Sequence, residues 1–205
     1  MGNEANCTVK FGKQKARGKA LLETSEVIFR SEDAALRFKI AFADIKSAKA
    51  MEGELYLETP EGLAVFNLGA NADKWCEKIL HPKTRLEKLG VKPDASVSVV
   101  GDLDADFLAE LRATTKNITD GKSPENSEWI FFAAASAKDL DKVNKLAKTI
   151  RGSGALWVVY PKSQKQITEN DVLAAGRKAG LKDIKVVGFS ATHTALKFVL
   201  PLTSR

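Results

Sequence analysis

The sequence of this 205-residue chain has little of what most often builds a catalytic centre or a membrane anchor. Its two cysteines, Cys7 and Cys76, are too far apart to suggest a disulfide framework, which favours a reducing compartment. No apolar run approaches the roughly 18 residues that a membrane-spanning helix needs. The first residues, MGNEANCTVK, contain no apolar signal core. We therefore expect a cytoplasmic protein without a membrane span.

Histidine is equally scarce, which limits the catalytic and metal sites that the chain can build. The two histidines are His81, at a predicted helix end, and His193, in a predicted hairpin turn, and we expect both to be solvated and unpaired. A zinc site needs about four ligands, and no CxxC or HxxxH spacing supports Cys76 and His81. The sequence therefore predicts no metal site and no catalytic residue.

Neither sign of charge is concentrated in one region. The chain carries 32 Lys and Arg against 26 Asp and Glu, which gives a net charge of +6 at pH 7. A dedicated nucleic-acid-binding protein gathers its basic residues on one face and often interleaves aromatic residues with them. We therefore do not expect a nucleic-acid partner, although an anionic ligand is compatible with the mild basicity.

Residues 7–68 have the pattern of short strands separated by turns. In residues 36–40, for example, three apolar side chains alternate with two charged ones. A helical period follows in residues 71–81, where Asn71 is a candidate cap and Pro82 stops the run. The pattern predicts an antiparallel sheet with one face in the core, closed by one amphipathic helix.

This order of strands and helix resembles the pleckstrin-homology-like β-barrel, in which a helix plugs an open end. The basic run KQKAR, residues 13–17, also resembles the signature with which pleckstrin-homology domains hold inositol phosphates. The resemblance implies an anion-binding strand, for which arginine with flanking lysines is suited. The alternative is a solvated outer face that discourages edge-to-edge aggregation. The candidate anion-binding residues are Lys13, Lys15, Arg17 and Lys19.

Residues 83–205 alternate between strand and helix patterns. The strand-like runs are VSVVG, SEWIFFAA, ALWVVYP, IKVVGF and ALKFVL. Residues 136–150 give the clearest helical pattern of the chain, opened by a capping box at Ser136 and ended by glycines. The alternation predicts a mostly parallel sheet with helices, finished by an antiparallel hairpin that turns at residues 190–194.

The second half resembles a known group of α/β domains. The segment from LEKLGVKPDASVSVVG through GALWVVYPK to ALKFV resembles an uncharacterised bacterial family of shortened S-adenosylmethionine methyltransferase-like domains. The resemblance implies a shortened Rossmann-like sheet with a terminal antiparallel hairpin. The whole chain is thus predicted to be α/β plus α+β, with a pleckstrin-homology-like β domain in residues 1–82 and a methyltransferase-like α/β domain in residues 83–205.

The loop GDLDADF, after the first predicted parallel strand, is where a nucleoside cofactor would bind. Such a loop needs several glycines, because its backbone turns tightly and approaches the ligand closely. Here Gly101 is the only one. Asp102 or Asp104 is suited to capping the helix that follows. The alternative is a surviving ligand contact, with Gly101 and Asp102 as candidate cofactor-binding residues.

Two further positions complete the candidate cofactor site. Asp120 corresponds to the ribose-binding acid that the methyltransferase resemblance implies after the second strand. Only GKSPEN separates it from the next strand, so the helix and strand that form one wall of an adenine pocket are missing, and a turn role beside Gly121 is the alternative. Lys162 follows a central strand, at the carboxyl edge where α/β sheets bind ligands.

Three functions are compatible with this pattern. The first is a non-enzymatic interaction or regulatory protein, a pseudoenzyme with a protein partner. The second is an enzyme that binds S-adenosylmethionine or another nucleoside in an atypical site. The third is a protein that binds anionic headgroups or nucleic acid through residues 13–19. The missing glycines and the shortened sheet argue against the second, and the even charge distribution argues against the third. We therefore expect the first function, with no cofactor.

Overall fold

The computed structural model describes residues 3–201 and divides the chain into two compact units, residues 1–83 and residues 84–205. Between residues 3 and 201, no helix is long and apolar enough to cross a membrane. That the units are independently folding domains, with a boundary near residue 82, stays a prediction.

The first unit consists of one antiparallel sheet of seven strands and one α-helix. The strands are β1 (Asn3–Phe11), β2 (Gln14–Leu22), β3 (Glu26–Ser31), β4 (Arg37–Ala41), β5 (Ser47–Met51), β6 (Glu54–Thr59) and β7 (Gly62–Asn67). The helix is α1 (Ala72–Leu80). The strand order is β4-β3-β2-β1-β7-β6-β5, so neighbouring strands are consecutive in the chain except β1 and β7, and the consecutive strands β4 and β5 form the two edges.

The sheet of the first unit curls so that its two ends share one core. Phe38 of β4 and Phe66 of β7 are four strand steps apart, which is about 19 Å in a flat sheet. Their ring centroids are only 6.0 Å apart. The helix α1 packs against β5 and β6 and buries Trp75. The predicted antiparallel sheet with one helix is confirmed, whereas closure into a pleckstrin-homology-like barrel stays a prediction.

Side chains alternate between core and solvent along these strands, as the sequence predicted. Leu36 and Ile40 are buried, while the charged residues between them are exposed. The predicted basic strand needs one correction. Lys13 lies in the turn between β1 and β2, because the tight hairpin takes up residues 12 and 13. The basic residues on the exposed face of β2 are Lys15, Arg17 and Lys19.

The second unit is a mixed sheet of six strands with helices on both faces. The strands are β8 (Val97–Val100), β9 (Ile118–Asp120), β10 (Ser127–Ala133), β11 (Ile150–Pro161), β12 (Lys182–Gly188) and β13 (His193–Val199). The α-helices are α2 (Arg85–Leu89), α3 (Ala105–Thr114), α4 (Val143–Ala147) and α5 (Glu169–Lys178). The order is β12-β13-β11-β10-β8-β9. The strands β8 to β11 are parallel and β12–β13 is antiparallel, which confirms the predicted sheet with a terminal hairpin.

The helix predicted over residues 136–150 is wrong in its length. Residues 137–142 form a 3-10 helix, α4 covers only residues 143–147, and Ile150 is already the first residue of β11. Pairing of Ser127 with Ile150 draws this part of the segment into the sheet. The buried residues Leu140, Val143 and Leu146 are three apart, a spacing that also suits a 3-10 helix.

The connection from β9 to β10 is short and is fixed by hydroxyl groups. It consists of residues 121–126, without a helix or strand. The Ser123 hydroxyl lies 2.7 Å from the Thr149 hydroxyl and donates to Ser127 Oγ at 3.0 Å. Ser127 Oγ is in turn 3.1 Å from Ser98 Oγ on β8, and both of these serines are buried. The loop therefore passes directly back to β10, and the sheet ends at β9.

Candidate functional site

The carboxyl edge of the second sheet is the place where the predicted cofactor-binding residues lie. Because β8, β9, β10 and β11 are parallel, their carboxyl ends meet at this edge. Gly101 follows β8, Asp120 ends β9, and Lys162 follows β11. These residues lie at the same edge because the strands are parallel. What each residue can bind depends on the contacts that its side chain already makes.

Gly101 has a packing role that explains why the residue is glycine. Its φ is +88°, a conformation that other residues rarely adopt. A Cβ atom at this position would lie 2.8 Å from the Ala133 carbonyl oxygen and 3.2 Å from the Ala133 Cβ, at the end of β10. The space that a side chain at residue 101 would occupy is therefore taken by Ala133 of the neighbouring strand β10.

A small cleft lies beside this loop. Its volume is about 100 Å³, whereas ligand pockets usually measure about 300–1,000 Å³. It is lined by Asp102, Leu103, Asp104, Ala133, Ala134, Ala135, Val159, Pro161, Phe189 and His193. Of the four predicted cofactor-binding residues, only Asp102 lines it. The cleft is mostly apolar and lacks the room that a nucleoside needs.

Asp104 caps α3, as one of the two capping alternatives predicted. Its carboxylate accepts a hydrogen bond of 2.7 Å from the Phe107 backbone N–H. The same carboxylate lies 3.3 Å from the Arg85 guanidinium. Asp102 is exposed, so the cap is Asp104 and Asp102 is left at the rim of the cleft.

Arg85 contacts two residues that line the cleft, Asp104 and Phe189, and no sequence pattern singles it out. Its guanidinium donates to both carboxylate oxygens of Glu110 at 3.0 Å and to the Phe189 carbonyl oxygen at 3.3 Å. It also lies over the rings of Phe107 and Phe189, 5.2 and 5.1 Å from their centroids. Burial alone would lower the pKa of Arg85, but Glu110 and Asp104 outweigh it and raise the pKa. Arg85 is therefore a fixed positive charge.

Asp120 is at the expected end of β9 but makes turn-like contacts. It is exposed, and its carboxylate lies 3.6 Å from the Arg112 guanidinium. Gly121, with a φ of +76°, follows it and donates its N–H to the Val99 carbonyl oxygen at 2.8 Å. The short loop of residues 121–126, which contains no helix or strand, then leads directly to β10.

Lys162 and His193 are both engaged by the terminal hairpin. The Lys162 ammonium donates to the carbonyl oxygens of Ser190 and Ala191 at 2.7 and 3.3 Å. His193 Nδ1 lies 2.9 Å from the Thr192 hydroxyl. The predicted unpaired role of His193 is therefore wrong, because the tight hairpin brings the hydroxyl next to the ring. The Lys162 ammonium therefore stabilises the turn between β12 and β13 by donating to the carbonyl oxygens of two turn residues.

The buried titratable groups are poor nucleophiles. Burial raises the pKa of the Cys7 thiol to about 11 and also raises the pKa of Cys76. Burial and the nearby Glu169 carboxylate raise the pKa of Tyr160, whose hydroxyl donates to Glu169 at 3.1 Å. Lys197 is a different case. Burial and the charge of Lys185 lower its pKa, and its ammonium lies 4.4 Å from the Trp129 ring centroid.

The predicted anion-binding residues, of which Lys13 lies in the turn before β2 and the other three lie on β2, fall into two groups. Arg17 pairs with Glu32 at 3.6 Å, and Lys19 pairs with Glu4 at 3.2 Å. Lys13 and Lys15 have no acidic partner within 4.0 Å among residues 3–201. The strand therefore does not present four equivalent free charges.

Comparison with known proteins gives structural likeness alone, since no protein-family model and no curated protein matches the sequence. The chain is similar to a S-adenosylmethionine-dependent methyltransferase from Aquifex aeolicus, with 15% identity, a TM-score of 0.41, and 55% of this chain and 86% of that one covered. A S-adenosylmethionine-dependent O-methyltransferase from Thermotoga maritima has 10% identity and a TM-score of 0.41, with 87% and 94% covered. A C-terminal domain of an unknown Leishmania infantum protein has 19% identity and a TM-score of 0.33, with 38% and 78% covered.

Proposed function

We propose that this protein is a non-enzymatic, cytoplasmic interaction protein in which a pleckstrin-homology-like unit is joined to a shortened methyltransferase-like unit without a working nucleoside site. The observation that carries the proposal is the cleft at the carboxyl edge of the second sheet. At about 100 Å³ it is well below the volume of ordinary ligand pockets. The α/β unit then serves as a scaffold.

Three contacts at the same edge support this proposal. Gly101 is packed against Ala133, Asp104 is used as a helix cap, and Lys162 is bonded to the hairpin carbonyls. Each of these groups already has a structural role, so none is free to hold a ligand without losing a contact. A sheet edge whose polar groups are already used in structural contacts fits an interaction protein better than an enzyme.

The alternative is an enzyme with an atypical nucleoside site. The observation that favours it is the position of Asp120, at the carboxyl end of β9 and beside β8, where the methyltransferase resemblance implies a ribose-binding acid. Its only ion pair among the described residues is an exposed contact with Arg112, which a ligand would displace at little cost. A binding measurement separates the two functions.

We predict that titration of S-adenosylmethionine or S-adenosylhomocysteine into the full chain gives no saturable heat at ligand concentrations up to about 1 mM. An open edge provides neither apolar enclosure for the adenine nor loop hydrogen bonds for the amino-acid end. Each 1.4 kcal/mol that is lost weakens binding tenfold, so a loss of about 4 kcal/mol turns micromolar affinity into millimolar affinity. Isothermal titration calorimetry measures this directly.

The control for this titration is a pair of acid-to-alanine variants. Asp120→Ala removes the candidate ribose contact, and Asp183→Ala removes an exposed acid of β12. Gly101 is unsuitable for the test, because any side chain there would clash with Ala133. A micromolar dissociation constant that Asp120→Ala weakens at least tenfold, and that Asp183→Ala leaves unchanged, would restore the enzyme hypothesis.

A further inference from the structure

The solvent face of the first sheet carries a row of five side chains that runs across the strands. Cross-strand pairing places Lys15 of β2 opposite Lys10 of β1, Lys10 opposite Val65 of β7, Val65 opposite Tyr56 of β6, and Tyr56 opposite Lys49 of β5. All five point away from the core. The residues on either side of Lys10, Lys49, Tyr56 and Val65 are more buried than these residues, and Lys15 precedes the more buried Ala16. The row has lysines at both ends and apolar or aromatic side chains in the middle.

The lysines of this row are available for a ligand. Lys10, Lys15 and Lys49 are exposed, and within residues 3–201 none of them has an acidic partner within 4.0 Å. Lys10 and Lys15 are directly opposite one another, an arrangement of like charges that destabilises a strand pair. By contrast, Lys19 on the same strand is paired with Glu4.

The acidic residues near the row are already engaged. Glu54 accepts a hydrogen bond of 2.6 Å from the Tyr56 hydroxyl, and Glu58 accepts one of 3.1 Å from the Ser47 hydroxyl. The bond to Glu54 raises the pKa of Tyr56 and fixes the direction of its hydroxyl. The tyrosine ring is therefore held in place in the middle of the row.

Two neighbouring hollows line the row. The first measures about 490 Å³ and includes Lys10, Lys15, Val65 and Glu54, and the second measures about 440 Å³ and includes Lys49 and Glu58. Tyr56 and Leu63 border both hollows. Leu63 is 47% exposed, which is unusual for a leucine within a strand. The two hollows therefore adjoin at Tyr56 and Leu63, and together they make up the groove.

We propose that this groove binds an extended segment of a partner protein that has acidic residues at both ends and apolar side chains between them. The row crosses four strand steps, which is about 19 Å measured along the surface of the curled sheet, and an extended chain that follows this surface covers the path with about six residues. Carboxylates at the two ends meet Lys15 and Lys10 on one side and Lys49 on the other. The proposal rests on the proposed function, since it names the kind of partner that the first unit recognises.

The shape and charge of the groove favour a peptide over other anionic partners. A bilayer is flat and would leave the hollows unfilled, and the carboxylates of Glu54 and Glu58 in the middle of the face would lie against its headgroups. A single nucleic-acid strand is held by several stacking aromatic residues, and Tyr56 is the one aromatic residue of this row. A peptide brings its charges only to the ends, where the lysines lie.

A selection with random heptapeptides displayed on phage tests the proposal with the full-length protein. We expect selected sequences to be enriched in Asp and Glu near both ends and in Leu, Ile, Phe or Met at the centre. A synthetic peptide from the enriched pool should bind with a dissociation constant in the micromolar range by fluorescence anisotropy. The same peptide with Asn and Gln in place of its acids should bind at least tenfold more weakly.

Matched variants separate this groove from general charge attraction. The double variant Lys10→Ser/Lys49→Ser and the single variant Tyr56→Ala should each weaken peptide binding at least tenfold. The control double variant Lys19→Ser/Lys74→Ser removes the same charge from β2 and α1 but lies outside the row, so it should change the affinity less than twofold. Circular dichroism melts of all variants confirm that each is folded before binding is compared.

Several results would overturn the proposal. A selection without acidic enrichment would do so, and so would equal loss of binding in the row variant and the control variant. Vesicles of phosphatidylcholine and phosphatidylserine, and a twelve-nucleotide oligothymidylate, serve as rival probes. Binding of either that the row variant abolishes, without peptide binding, would mean that the partner is a membrane or a nucleic acid. None of these results depends on S-adenosylmethionine, so failure here leaves the calorimetric test of the proposed function unaffected.

Discussion

The guanidinium of Arg85 connects three segments of the second unit that lie far apart in the sequence. It contacts Glu110 and Asp104 around α3, and the Phe189 carbonyl oxygen at the start of the terminal hairpin turn. Lysine would retain the positive charge but would lack the planar fork that donates to both oxygens of Glu110. The Arg85 side chain is 16% exposed, whereas the Asp104 and Glu110 side chains are 37% and 46% exposed, so solvent weakens these ion pairs in part.

We predict that Arg85→Ala lowers the free energy of unfolding of the second unit by about 2 kcal/mol, and that Arg85→Lys recovers less than half of this loss. The reason is that hydrogen bonds to charged groups contribute about 1.5–3 kcal/mol, and Arg85 makes several together with two ring contacts. Urea unfolding followed by tryptophan fluorescence measures the change.

The control for this prediction is Arg112→Ala. Arg112 and its partner Asp120 are both more than half exposed and lie 3.6 Å apart. An exposed ion pair of this kind contributes about 0–1 kcal/mol, so the control should lose less than half of what Arg85→Ala loses. Equal losses in the two variants would mean that Arg85 is an ordinary surface residue.

Residues whose contacts are local could be predicted from the sequence, and Arg85 could not. Asp104 caps α3 through Phe107, three residues away, and this spacing is visible in the sequence. The partners of Arg85 lie 19, 25 and 104 residues away, and no periodicity reports such distances. Lys162 was placed at the correct edge, but its bonds to the hairpin depend on how tightly the hairpin turns.

At the scale of elements, the helix α5 sits unusually close to the sheet. Gly176 is buried in this helix, and a Cβ at its position would overlap the ring of Phe198 on β13. Glycine costs about 1 kcal/mol relative to alanine within a helix. This cost is offset by the close packing that the missing side chain allows.

We predict that Gly176→Ala destabilises the second unit by about 1–2 kcal/mol. The gain in helix propensity of about 1 kcal/mol is smaller than the cost of overpacking a ring that is fully buried, which is about 1–3 kcal/mol or more when the backbone must move. Gly188→Ala is the matched control, since a Cβ there meets nothing within 4 Å. Thermal unfolding in which Gly176→Ala is as stable as Gly188→Ala would show that α5 can move away from the sheet.

The segment of residues 136–150 shows where sequence patterns fail for elements. Its apolar positions fit a long helix, and Asp139 accepts a hydrogen bond from the backbone N–H of the N-cap residue Ser136, as the third residue of a capping box does. The pairing partner of Ile150 is Ser127 on β10, and this partner is set by the length of the loop after β9. A local period cannot report a competing strand, so the length of the helix was predicted wrongly.

At the scale of the whole molecule, the change of period near residue 82 separates a region of alternating strands from a region of strands and helices. That change is visible in the sequence, and so are the sheet types of both regions. The groove proposed for the first unit cannot be recognised in the sequence. Lys10, Lys15 and Lys49 come together only through the registers of four strand pairs, and each register is set by turns and core packing.

We predict that residues 84–205, expressed alone, fold cooperatively. Every buried residue of the first unit's core cluster comes before residue 80, and both core clusters of the second unit begin after residue 85. These two clusters lie on opposite faces of a six-stranded sheet, so the unit buries both faces with its own helices. About 120 residues is also a common size for a domain that folds alone.

The measurements for this last prediction are a thermal melt by circular dichroism and an amide correlation spectrum. A single sigmoidal transition and well-dispersed amide resonances are the expected results, because a complete core gives an all-or-none transition in domains of this size. Residues 84–205 carrying Phe131→Asp provide the unfolded reference, since Phe131 is fully buried in an apolar cluster, where a carboxylate is costly to bury. If the unaltered fragment melts as broadly as this reference, the second unit needs the first to fold, and the two-domain prediction is wrong.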